Sequence, residues 1–139
     1  MEPLITKIVP TLFVAMGGAL GASGRFWVRE YLPSITGTEF PFSTLLVNVV
    51  GCFLSGMVYM WLETSGSSWS SDKLLFFFVG LLGAFTTFSA FALDSLLLFQ
   101  QQQMFKLAIN IGGNCLLCLL SVFVGGMIGA KIGSAFGTV

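Results

Sequence analysis

The sequence predicts an all-α membrane protein with four transmembrane helices in each subunit. Three observations carry that expectation. Apolar residues fill 55% of the 139 positions and charged residues only 9%, against about 25% charged in soluble chains. Mean hydropathy is +0.93. Four stretches lack Asp, Glu, Lys and Arg altogether, residues 8–24, 40–62, 74–93 and 107–130, and about 20 apolar residues suffice to cross the hydrocarbon. None of these runs alternates polar with apolar, which argues against a β-barrel. So few charges cannot clothe a sphere of this size in water, and lipid must be most of its solvent.

The same inventory narrows function. A net charge of zero leaves no footprint for nucleic acid. The chain has no His, which removes the commonest metal ligand and the usual proton shuttle. Three cysteines give no disulfide framework. Catalysis in water is thereby disfavoured, and transport or membrane structure remains.

Extended to their flanks, the runs predict one transmembrane domain with spans at about 4–31, 40–62, 74–99 and 106–131. The gaps hold most of the charge and turn residues: Arg25, Arg29, Glu30, Pro33 and Glu39, then Glu63 to Lys73, then Asp94 to Lys106. The first span reads as a retained helix rather than a signal peptide, since Glu2 and Lys7 precede it and three spans follow. It carries Gly17-x-x-x-Gly21, and the fourth ends on Gly125-x-x-x-Gly129-x-x-x-Gly133. Such spacing lets backbones approach closely, within a subunit or between subunits.

Polar residues inside the spans need partners or line a path. In the second span Thr44, Asn48 and Ser55 share a helix face with Gly51 and Cys52. Asn48 lies near mid-membrane, and its amide serves either a helix–helix hydrogen bond or a permeant ion. The fourth span places Asn110 and Asn114 one turn apart, with Ser121 further on. Its Cys115-x-x-Cys118 reads as small-residue packing. The third span is the least ordinary, with Gly83-Ala84-Phe85-Thr86-Thr87-Phe88-Ser89-Ala90-Phe91 at its centre. Glycine and paired Thr make a helix there easy to break, and a break frees carbonyl and N–H groups at membrane depth. Freed carbonyls coordinate Na⁺, whereas N–H groups attract anions. Beyond the break, Phe88 and Phe91 fall on one face, where the positive ring edges can meet an anion.

Orientation is evenly weighted. The side holding the N-terminus carries Lys7, Lys73 and Lys131, and the other carries Arg25, Arg29 and Lys106. The positive-inside bias is therefore absent. Copies inserting both ways and pairing antiparallel would explain the balance, and so would a factor outside the sequence. Four helices packed solid leave no pore of their own, so a path calls for an oligomer. Amides, hydroxyls and ring edges without an acidic ring favour a small anion over a cation.

Three stretches together carry a resemblance: Gly17-Gly18-x-x-Gly21-Ala22-x-x-Arg25-Phe26, Thr44-x-x-x-Asn48-x-x-Gly51, and Gly83-x-Phe85-Thr86-Thr87-Phe88-Ser89-x-Phe91. They resemble the Fluc fluoride channels, also called CrcB proteins, in order along residues 10–130. The chain differs from the usual pattern at Ala84, Ala90 and Asp94. The resemblance implies an antiparallel, dual-topology homodimer in the cell membrane, with a broken third helix and two fluoride pathways. It implies a structural Na⁺ at the dimer centre, held by backbone carbonyls of Gly83 and Thr86. It maps the pore phenylalanines to Phe88 and Phe91, the pore asparagine to Asn48, and a vestibule arginine to Arg25. It sets a polar track near Thr87, Asp94, Asn110 and Asn114, and Thr44 stands on the Asn48 face.

The mechanism these residues suggest is passive. The Asn48 amide, Thr and Ser hydroxyls and the two ring edges replace the water that fluoride sheds, and Arg25 concentrates anions at the mouth. No Gly-x-x-x-x-Gly-Lys-Ser/Thr phosphate loop is present. The rival is a four-helix, dual-topology exporter of small cations or drugs, which needs an intramembrane carboxylate. The first span has none. A non-transporting assembly subunit is a third class.

Overall fold

Backbone and side-chain chemistry produce four long helices. The computed structural model describes residues 2–36 and 40–136, with side chains at 6–32 and 40–136. Glu39 and the side chains of Glu2 and Pro33, used in the charge and turn reading, lie outside the described residues. Helix α1 is Glu2–Thr36 and α2 is Phe42–Ser65. The third span, Ser71–Gln100, is composite, with α3 at residues 71–85 and α4 at Phe88–Gln100. Helix α5 is Met104–Phe136. All four spans are long and apolar enough to cross a membrane.

Turn chemistry sets the ends. Helix α2 starts after Pro41 and stops at Gly66, whose φ of 66° is left-handed, a conformation glycine adopts at no steric cost. The third span changes character twice. It leaves α-geometry for a π-helix over Leu75–Leu82 and regains it for Gly83–Phe85. Thr86 and Thr87 are then extended, at φ/ψ of −80°/154° and −153°/114°. Their side chains explain why. Thr86 Oγ1 donates back to the Leu82 carbonyl at 2.9 Å. Thr87 Oγ1 accepts from the Ala90 N–H at 3.2 Å and so caps α4. Hydroxyls that satisfy backbone groups locally offer an alternative to the helical ladder.

Glycine fixes which helices touch. A Cβ on Gly17 would land on the Phe76 carbonyl oxygen, so α1 crosses the π-helix of α3 in near backbone contact. A Cβ on Gly56 would land on the Val122 carbonyl oxygen, and Gly125 is equally tight against Phe53. Both small-residue motifs therefore serve packing within the subunit. Helices α2 and α5 run parallel in strict register: Asn48 meets Asn114 and Thr64 meets Ala130, each at a separation of 66 residues.

The interior is inverted relative to a soluble protein. The buried apolar side chains among the described residues are Val47, Leu82, Phe91 and Leu98. The buried polar ones are Thr44, Asn48, Thr87, Asp94, Asn110 and Asn114. Leu, Ile, Phe and Met cover the outside instead, as in Leu12, Leu20, Phe105, Leu116, Phe123 and Met127. Lipid is as apolar as these side chains, so their exposure costs nothing there.

Candidate functional site

The buried asparagines form one hydrogen-bonded chain beside the extended residues Thr86 and Thr87 of the third span. Asn48 of α2 clamps Thr87 with both ends of its amide. Its Oδ1 accepts from the Thr87 N–H at 2.8 Å, and its Nδ2 donates to the Thr87 carbonyl at 3.2 Å. In a continuous helix the Thr87 N–H would be aimed at the Gly83 carbonyl. Here Asn48 takes it.

From Asn48 a relay of donors crosses to α5 and returns to α4. Asn48 Nδ2 donates to Asn114 Oδ1 at 2.9 Å, and Asn114 Nδ2 donates to Asn110 Oδ1 at 3.1 Å. Asn110 Nδ2 donates to Ser95 Oγ at 3.0 Å, and Ser95 Oγ donates to the Phe91 carbonyl at 2.8 Å. The first turn of α4 is thus pinned at both ends, at Thr87 and at Phe91. Each of the three buried asparagine amides finds partners, as burial demands. The two N–H groups of Asn48 that sequence reasoning offered to an ion are both engaged here. Ser95 is the link that reasoning missed; its position one turn after Phe91 was the available signal.

Asn48, Thr87, Phe88, Phe91 and Asn114 line one open cavity of about 430 Å³, together with Thr86, three cysteines and Leu119. Its two rings meet edge to face, with centroids 5.2 Å apart. They differ in exposure: Phe91 is 9% exposed and Phe88 is 78% exposed. A neighbouring hollow of about 300 Å³ shares Cys52, Thr86, Cys118 and Leu119 and includes Gly83. The expected site residues therefore converge on one concave face, with three exceptions. Asn110 is fully buried behind Asn114. Thr44 and Arg25 lie on the far side of Thr87, in a crevice of about 10 Å³ with Arg29, Ser43, Val47 and Ala90. That volume holds about one water.

Asp94 bounds the charge-free run 74–93 but falls inside the extended span expected at about 74–99. It lies within the third span and is buried. Thr44 Oγ1 donates to its Oδ2 at 2.6 Å, and the Arg29 guanidinium stands 4.0 Å from its Oδ1. The pairing with Arg29, which is 57% exposed, contributes at most about 1 kcal/mol. Among the described residues no group of three or more His, Cys, Asp or Glu could hold a metal. Backbone carbonyls are another matter, because the Gly83 carbonyl has lost its helical donor and Gly83 is exposed.

Comparison with known proteins gives one consistent answer. The sequence pattern of the CrcB-like protein family, Camphor Resistance (CrcB), matches residues 12–126. A protein of Shewanella loihica called fluoride-specific ion channel FluC is 45% identical over 114 residues, covering 82% of this chain and 90% of its own. A Legionella pneumophila protein of the same name is 46% identical over 121 residues, covering 87% and 90%. One from Aeromonas salmonicida, again so named, is 45% identical over 114 residues, covering 82% and 90%.

Proposed function

The chain belongs to the CrcB family, and from that premise we propose that it is a passive, fluoride-selective channel of the cell membrane. One observation carries the reading: Asn48, Thr87, Phe88, Phe91 and Asn114 gather at one cavity beside the helix break, with no charged side chain in its lining. The named relatives supply the ion; this cavity supplies a place for it. Burying a bare anion costs tens of kcal/mol at the low-dielectric limit. Neutral donors and ring edges offset that cost in steps, and they hold the ion weakly enough to release it. An incoming anion can share the Asn48 and Asn114 N–H groups only by displacing acceptors they now have. Those acceptors form the exchangeable part of the path. Arg25 and the Thr44 crevice form its mouth.

The path is completed by a second copy. One chain leaves Phe88 exposed and the cavity open along a face, and two copies related antiparallel would close two such cavities. The even Lys/Arg balance supports insertion both ways. Gly83 and Thr86 would hold a structural Na⁺ through their carbonyls at the dimer centre, where two chains supply enough oxygens for a hard cation. That ion would supply charge neutralisation between two carbonyl-rich breaks. Export is downhill: fluoride that enters as uncharged HF into a less acidic cell leaves as the anion.

The cation-exporter alternative needs an intramembrane carboxylate free to exchange its proton for substrate. Among the described residues Asp94 is the buried carboxylate, and Thr44 and Arg29 occupy it. Fluoride-electrode recording of efflux from proteoliposomes, with chloride as control, tests the proposal. Fluoride release without chloride release is expected; vesicles that keep their fluoride contradict it.

A further inference from the structure

All three cysteines of the chain line the main cavity, and the anion path uses none of them. Helix register says how two of them meet. Asn48 and Asn114 bond across α2 and α5 at a separation of 66 residues. Two turns on, Gly56 meets Val122 at the same separation. Cys52 and Cys118 are the rung between, one turn beyond the asparagines. Gly56 brings the backbones together beside that rung, since a Cβ there would land on the Val122 carbonyl oxygen. The two thiols share the second hollow as well as the first. Cys115 is the exposed outlier.

We infer that Cys52 and Cys118 form a two-thiolate site for a soft divalent cation of the mercuric type, and that filling it obstructs the cavity beside Asn114. Thiolates are soft ligands and select soft metals. With no group of three or more His, Cys, Asp or Glu among the described residues, tetrahedral zinc lacks its ligands, whereas linear coordination needs only two. Charge selects the valence. One divalent cation displaces two thiol protons and leaves the site neutral with both thiolates as ligands, while a monovalent cation balances only one thiolate, so engaging the second as thiolate would leave a net negative charge in apolar surroundings, which is costly. Nothing is oxidised or reduced.

The binding stands on packing alone; its effect on fluoride rests on the channel reading. The experiment loads one equivalent of mercuric ion per chain onto reduced, purified protein and challenges it with glutathione. Two preset thiols act as a chelate, so wild type and Cys115→Ser should need at least about tenfold more glutathione to release the metal than Cys52→Ser or Cys118→Ser. Equal release from Cys115→Ser and Cys52→Ser overturns the site. In proteoliposomes the loaded protein should pass fluoride several-fold more slowly and recover with excess dithiol. Retained metal with undiminished flux overturns the obstruction. A metal-free protein that passes no fluoride contradicts the channel reading and leaves the glutathione result standing.

Discussion

Replacing Asn48 by Leu would strand the Thr87 N–H, the Thr87 carbonyl and Asn114 Oδ1 in the interior. Leaving buried groups unpaired costs about 1–3 kcal/mol for each group. Asn48→Leu should therefore lower the melting temperature in detergent and slow fluoride efflux together; an unchanged melting temperature would show that Thr87 is held by something else. The two rings separate packing from conduction. Phe88→Ile should slow efflux and leave the stability of the single chain unchanged, because Phe88 buries little within one chain. Phe91→Ile should slow efflux and also cost stability, being a shape change in a packed site. Wild-type flux in both variants removes the ring edges from the mechanism. Thr44, Asn48, Asn110 and Asn114 were legible as single residues because polar side chains are conspicuous in apolar runs. Their partners were not legible. Which amide bonds which depends on the register between helices distant in sequence, and no spacing within one helix encodes it.

At the scale of the element, the third span departs most from expectation. Gly83, Thr86 and Thr87 mark where a helix can fail; Gly83 stays helical, and the extended dihedrals fall on Thr86 and Thr87. The π-helix at Leu75–Leu82 has no counterpart in the residue pattern, which reads only as a dense apolar run. It lies where Gly17 and Gly80 bring α1 into backbone contact, and that contact is not legible within the third span alone. The small-residue motifs were legible as close contacts but not as to partner. Gly56→Leu forces α2 from α5 at a point with no space, and overpacking costs about 1–3 kcal/mol. A fall of several degrees in melting temperature is expected. Gly112→Ala is the control. A Cβ there meets nothing, and Ala in a helix interior stabilises by about 0.5–1 kcal/mol over Gly. A rise or no change for Gly112→Ala beside a fall for Gly56→Leu locates the effect in packing. Equal falls would mean that glycine matters for flexibility instead.

For the whole molecule, composition alone required lipid, and the polar core with its apolar exterior agrees. Oligomeric state lies beyond a single chain, because the surface that meets lipid and the surface that meets another copy are built from the same residues. The dimer proposal makes its own prediction. Protein labelled at one terminus and reconstituted should react with an impermeant reagent from both faces in about equal shares, as the Lys/Arg balance implies. Labelling from one face only contradicts dual insertion. Replacing all Na⁺ by a bulky organic cation should weaken the association of two copies if Gly83 and Thr86 hold that ion, and should leave it untouched if they do not.

The claim on which all of this depends is that neutral donors beside the extended Thr86–Thr87 segment carry a bare halide across. Efflux of fluoride from liposomes holding the purified protein measures it most directly. The account predicts rapid release that chloride does not share and that Phe88→Ile slows. Release of both halides alike, or retention of fluoride by vesicles shown to contain folded protein, would contradict it.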